Sequence, residues 1–323
     1  MNWTYGANKT VQRTEASRFA QRQVERHRRL AAVADLCVGR DMNSVEIATE
    51  SELDRVLNDS ASTLAFRGQS NASWLVQSSL ERAAGRNFGE RTESMLQLYE
   101  ADIIDWFIGE CGRYELGAIY PQGKLPDVTN TFEWLSLLQH HGYPTRLIDF
   151  TDDIWVAMYF ALRDSQPTVP FAIYVLEMIP DDESGNKLPK DSTGSIYRAS
   201  DGCPNINELL GLTIQFRNFR SHYGATSLSL EWHRPKQNYG WDTPAIHNER
   251  CKRQKGRFLY QLYPDGQVES AAALTKYTIS PHLSSACVRR SQAKGESYSQ
   301  RFLFPSFEGL GCCRTKRMHR TRR

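Results

Sequence analysis

The chain has 323 residues, 40% of them hydrophobic and 24% charged, with a formal net charge of +3. That balance excludes wholesale disorder and gives enough apolar side chain for one large core or two modest ones. No run approaches the roughly 18 apolar residues of a membrane helix, so a soluble, cytoplasmic protein with no membrane partner is expected. Seven cysteines (Cys37, Cys111, Cys203, Cys251, Cys287, Cys312 and Cys313) are scattered without C-x-x-C spacing. Such usage fits a reduced compartment and argues against a zinc site.

Residues 14–35 form an Arg-rich helical pattern, so 1–40 reads as an N-terminal basic helical segment. A strand is predicted over 44–48, and Ser51 then caps a short helix with Leu53, Val56 and Leu57 inward. Residues 63–68 form the next strand, ending at Arg67. Residues 90–110 follow a helical period through Met95, Leu98, Ile103, Trp106 and Phe107. Trp134, Leu137, Leu138 and His141 then recur at i, i+3, i+4 and i+7, until Gly142 and Pro144 end that helix.

Residues 146–150 read as a short buried strand between two core helices. The second helix carries Ile154, Trp155, Met158, Tyr159 and Leu162, with Thr151 or Asp152 as its N-cap. Residues 171–176 are a clear strand, whereas about 180–207 is polar and reads as an insertion. Late strands are predicted at 257–263 and 273–279, and a helix at 281–291, before 301–304 closes the fold. The segment 311–323 holds six Lys or Arg and no acid, and reads as a solvated basic tail. The prediction is an α+β fold, a mixed central sheet flanked by helices, preceded by an N-terminal helix.

The richest chemistry lies in Gln139-His140-His141-Gly142-Tyr143-Pro144-Thr145-Arg146-Leu147-Ile148-Asp149-Phe150-Thr151. Arg146 and Asp149 are three apart on a strand and point to opposite faces, so each needs its own partner. Arg67 ends an early strand and is followed by Gly68, which would admit a ligand close to the backbone. Its guanidinium suits phosphate or carboxylate; the alternative is a buried ion pair with Asp149. His141 continues the apolar stripe and reads as core, while His140 diverges from it by roughly 100° around the helix. Gln254 precedes an apolar strand in a basic run, where it could bind a ribose hydroxyl or cap the sheet. No Walker loop and no G-x-G-x-x-G occur, which argues against P-loop and Rossmann nucleotide binding.

Three of these segments, Phe66-Arg67-Gly68-Gln69, the thirteen-residue stretch and Arg253-Gln254-Lys255-Gly256-Arg257-Phe258, together resemble the FRG domain. That family is named after its Phe-Arg-Gly tripeptide and shows a QHxGxPTRLxDxT core. Its small-aromatic-Phe-Ala helix is matched by Ala157-Met158-Tyr159-Phe160-Ala161, and Trp74 and Arg82 also fit its pattern. The sequence departs from it at Phe150, where tryptophan is usual, and at Asp152-Asp153, where a proline commonly follows the threonine. The resemblance places an FRG domain over 44–310.

The order of these residues is also similar to that of ADP-ribosyltransferases. The resemblance implies a toxin- or defence-type effector that uses NAD as co-substrate and modifies nucleic acid or protein. Arg67, Gly68, Thr145, Arg146 and Thr151 would bind the cofactor, and His140, Asp149, Gln254 and Glu249 would serve catalysis. A late E-x-E or Q-x-E motif is missing, so a non-catalytic nucleotide- or nucleic-acid-binding module is the alternative reading.

Overall fold

The computed structural model describes residues 43–58, 64–88, 93–113, 125–127, 130–180, 187–189, 196–198, 239–243, 249–261, 268–271, 274–295 and 298–305. The chain divides into two units, Met1–Met42 and Asn43–Arg323, and all described residues belong to the second. The predicted N-terminal helix and the basic tail lie outside the described residues. Among the described residues no helix is long and apolar enough to cross a membrane.

The architecture is α+β. Nine strands are described: β1 (Asn43–Ile47), β2 (Leu64–Gln69), β3 (Leu147–Thr151), β4 (Phe171–Pro180), β5 (Lys187–Pro189), β6 (Ile196–Arg198), β7 (Tyr239–Asp242), β8 (Gly256–Gln261) and β9 (Leu274–Ile279). They form one mixed sheet in the order β1-β9-β4-β2-β3-β8-β7-β6, with β5 on β4. The pairs β1–β9 and β6–β7 are parallel and the others antiparallel. The polar stretch after β4 thus contributes two short strands to the sheet, beyond what its composition predicts.

The join in the middle positions the site. β2 pairs with β4 through six consecutive residues, and β3 with β8 through five. Between β2 and β3 the register holds one pair, Phe66↔Thr151. The sheet is therefore two halves hinged at that pair, splaying apart toward the end of β2 and the start of β3.

Each half has its own core. Helices α1 (Glu50–Asn58), α5 (Ile154–Arg163) and α8 (Ser284–Ala293) pack Leu53, Leu57, Met158, Ala161 and Cys287 against Phe66, Ile173 and Ile279. Helices α3 (Glu93–Arg113) and α4 (Thr131–His140) pack Ile104, Phe107, Leu135 and Leu138 against Leu147, Phe258 and Tyr260. Helix α2 (Ser79–Phe88) joins α3 through Leu80, Ala84 and Leu96.

Local chemistry corrects several predicted details. Helix α1 is capped by Thr49 rather than Ser51: the Thr49 Oγ1 accepts the Glu52 N–H at 3.3 Å, and a Glu52 carboxylate oxygen accepts the Thr49 N–H at 2.9 Å. This reciprocal pair satisfies two otherwise orphaned donors. Helix α5 is capped by Asp153, which accepts the Trp155 N–H at 2.9 Å, rather than by Thr151 or Asp152. In α4, residues 131–138 are all buried, so the helix has no single apolar stripe. His141 caps the last turn, its N–H still bonded to the Leu137 carbonyl at 3.2 Å, and is exposed rather than core, its ring 6.2 Å from that of Phe107. On α3 the buried face runs through Leu96, Glu100, Ala101, Ile104 and Phe107, while Trp106 is exposed.

Candidate functional site

The splay between the two halves of the sheet is occupied by a cavity of about 750 Å³. That lies within the range of small-molecule sites. Of the predicted site residues, Arg67, Gly68, His140, Asp149, Thr151 and Gln254 line it. Thr145, Arg146 and Glu249 do not.

Arg67 stands on the free edge of β2 and reaches across the gap, its Nη1 donating to the Asp149 carbonyl at 2.8 Å. Its Nε is buried and has no hydrogen-bond partner. Burial is the largest influence on the guanidinium and pulls its pKa below the ordinary value, opposed by the negative charge of Asp149. An arginine stays charged in such a place, so it carries an undersatisfied cationic donor against the cavity. The predicted Arg67–Asp149 contact is thus made to the backbone carbonyl. Arg82 and Arg250 also line the cavity, and Asp149 is the one carboxylate among its lining residues.

Asp149 is aimed by its neighbours. Gln139, on the last turn of α4, donates from Nε2 to the Asp149 Oδ1 at 2.7 Å. The Gln139 Oε1 in turn accepts from the Thr145 hydroxyl. The Thr145 N–H donates to the Ser79 hydroxyl at 3.0 Å, and its carbonyl receives the Leu80 N–H at 3.0 Å. Thr145 is therefore a fully buried clamp between α2 and α4, away from any ligand. Its effect on the site passes through Gln139.

Arg146 faces the other side of β3, as the three-residue spacing requires. It is buried, and so is its partner Glu100 on α3. One Glu100 oxygen accepts the Arg146 backbone N–H at 2.9 Å, and the other pairs with the guanidinium. The guanidinium also lies 5.6 Å from the Tyr260 ring centre. Arg146 holds β3 against α3 and is unavailable to a cofactor. Glu100 escaped the sequence reading, although it sits in helical phase with Leu96, Ile104 and Phe107. An acid in phase with an apolar stripe is the signal that would have found it.

Gly68 lines the cavity and also lies against helix α5. A Cβ there would lie 1.8 Å from the Ala157 carbonyl oxygen and 2.7 Å from the Ala161 nitrogen. The missing side chain lets α5 press onto β2. Thr151 is spoken for as well: its hydroxyl donates to the Gln254 carbonyl at 2.7 Å and accepts the Asp153 N–H at 3.1 Å.

Gln254 closes helix α6 (Glu249–Gln254), separated from β8 by Lys255 alone. Its Nε2 donates to the Leu303 carbonyl at 3.1 Å, tying α6 to helix α9 (Gln300–Leu303). Although it borders the cavity, its donor is committed to the fold. Glu249 is exposed and lies near Lys252 and Arg253 on its own helix, at 3.5 and 3.7 Å. His140 ends α4 at the cavity wall, and its carbonyl accepts from Arg250 at 3.5 Å. Burial pushes the cavity-lining Cys251 thiol up to about 11, which leaves it a poor nucleophile at neutral pH.

A family model described as the FRG domain matches residues 62–168. That span runs from β2 through α5 and contains both edges of the splay. Neither the search of curated proteins nor that of solved structures gave a match.

Proposed function

Because this chain carries an FRG domain, we propose that the domain's split-sheet cleft binds NAD and transfers its ADP-ribosyl group to a nucleic-acid or protein acceptor. The observation that carries the reading is the pairing, across one gap, of Arg67, with its unpartnered buried Nε, and Asp149, aimed by Gln139. A guanidinium so placed favours a phosphate, which satisfies its donors and its charge together. Among the described lining residues, three arginines stand with one carboxylate, in keeping with a dianionic diphosphate.

The chemistry then falls to Asp149. Breaking the bond between nicotinamide nitrogen and ribose C1′ sends the electron pair to the ring, leaving neutral nicotinamide and an oxocarbenium-like carbon. A carboxylate beside that carbon stabilises the charge as it develops. The acceptor's lone pair forms the new bond to C1′, and its proton is lost to solvent. Gln254 and Glu249 have no part in this step, the first held by Leu303 and the second turned to solvent.

The test is incubation with NAD, with released nicotinamide followed by chromatography and NAD binding measured by calorimetry. Asp149→Asn should leave binding within about threefold and remove turnover. Arg67→Gln should weaken binding at least tenfold, the loss of about one charge-assisted hydrogen bond. Binding without any turnover in the unaltered protein would favour the non-catalytic nucleotide-binding module, and no binding at all would defeat both readings.

A further inference from the structure

Between the end of β2 and α2, residues 70–78 cross the mouth of the cavity with two large apolar side chains held out of the core. Trp74 and Leu75 are 55% and 57% exposed, and both line the cavity. The loop is fixed through its backbone. The Tyr174 hydroxyl donates to the Trp74 carbonyl at 2.9 Å, Gln69 Nε2 to the Leu75 carbonyl at 3.2 Å, and the Val76 N–H to Glu269. Asn71 further accepts the Ser73 N–H and hydroxyl, each at 2.8 Å. An exposed indole carried on that fixed backbone beside the cavity offers a stacking surface.

The second observation lies under it. Gln69 is 7% exposed, lines the cavity, and carries a buried Oε1 that has no hydrogen-bond partner. A carbonyl can receive only a donor, so the bond to Leu75 fixes the amide with nitrogen toward the loop and oxygen left over. Such a buried acceptor gains most from an N–H supplied by a ligand.

From these two features we infer that Gln69 and Trp74 form a ring-recognition subsite, Trp74 stacking on a flat heteroaromatic ring and the Gln69 Oε1 accepting from an amino or carboxamide N–H on it. The inference rests on the cleft proposed above and names the part of a nucleotide that the cleft selects. Two rings of a pyridine dinucleotide carry that donor, the adenine amine and the nicotinamide carboxamide, and the measurements below separate them.

Four ligands are titrated calorimetrically: ADP against inosine diphosphate, which lacks the exocyclic amine, and nicotinamide mononucleotide against nicotinic acid mononucleotide, which lacks the amide N–H. One pair should differ at least tenfold in favour of the N–H donor, and that pair identifies the ring in the subsite. Trp74→Ala should weaken the preferred ligand about tenfold or more, Trp74→Phe should restore most of it, and inorganic pyrophosphate should bind all three proteins alike. Equal affinities within both pairs would overturn the inference. So would unchanged binding in Trp74→Ala, or a parallel loss of pyrophosphate binding, which would assign Trp74 to loop structure. Discrimination without NAD turnover would defeat only the transferase reading, and turnover without discrimination only the subsite.

Discussion

Glu100→Gln is the most informative single change to the fold, because it alters charge with almost no change in shape. Both partners of the Glu100–Arg146 pair are 1% exposed, and both carboxylate oxygens are engaged, one by the backbone N–H and one by the guanidinium. The amide can still accept the N–H, so what disappears is the counter-charge of a buried guanidinium. Breaking such a pair costs about 3–5 kcal/mol, a large fraction of the roughly 5–15 kcal/mol that holds a domain together. Glu100→Ala should cost more still, since the Arg146 N–H then loses its acceptor as well, adding about 1–3 kcal/mol. Arg146→Met should match Glu100→Gln, leaving the carboxylate without its cation. The double variant Glu100→Gln/Arg146→Met leaves neither charge, so its cost should fall several kcal/mol short of the sum of the singles. Urea unfolding at constant slope gives each value, and the cycle gives the coupling. Additivity within about 0.5 kcal/mol would show that the two charges do not sustain each other, and the account of β3 docking would fail.

Gly68→Ala should destabilise by about 1–3 kcal/mol or more, because the obstructing atom is the Ala157 carbonyl of the helix backbone and cannot rotate away; a melting temperature equal to the parent's would contradict the packing described. Asp149→Asn should stay within about 1 kcal/mol of the parent in the same unfolding experiment, since an amide oxygen can still accept from Gln139. A loss as large as that of Glu100→Gln would place Asp149 in the core instead of the cleft. Burial pushes the Cys287 thiol from 9.0 up to about 12. A raised folded pKa means the folded state holds its proton more tightly, so this contribution is whole below pH 9 and is lost as the pH climbs toward 12. The melting temperature should decline across that window, and Cys287→Ala should decline less steeply.

The elements were largely legible because their apolar periods are strong. β2, β3, β4, β9 and helix α5 lie within a few residues of their predicted bounds. Legibility failed where two elements share one polar group. Period alone could not decide between the Met95–Leu98 and Leu96–Glu100 faces of α3, since the deciding fact is a guanidinium 46 positions away in the chain. The N-cap of α5 is Asp153 rather than Thr151 or Asp152 although all three are competent caps; the Thr151 hydroxyl is drawn off to Gln254, which leaves Asp153 to serve. A glycine beside an arginine does not reveal in the sequence that a helix backbone packs on it; the Ala157 carbonyl against Gly68 is known only from the fold. The basic run around Gln254 is a short helix whose Arg250 and Arg253 lie over Phe304 and Phe302.

The motif residues separate by one physical criterion, whether the fold itself satisfies their polar atoms. Thr145, Arg146, Thr151 and the donor of Gln254 meet partners inside the protein, and each meets one that joins two elements: α2 to α4, β3 to α3, β3 to α6, and α6 to α9. Of these ties, the Gln254 bond is the one that crosses between the halves, because α9 packs through Leu303 on Val156 of α5, while the strands of the halves meet at one residue pair. Arg67 Nε and Gln69 Oε1 are the remainder, a buried donor and a buried acceptor on the same strand end, with no partner of their own. Leaving such atoms unsatisfied costs about 1–3 kcal/mol each, which the ties must offset. A ligand that presents an anion to one and an N–H to the other recovers that cost on binding, and so is selected by chemistry that the apoprotein leaves open.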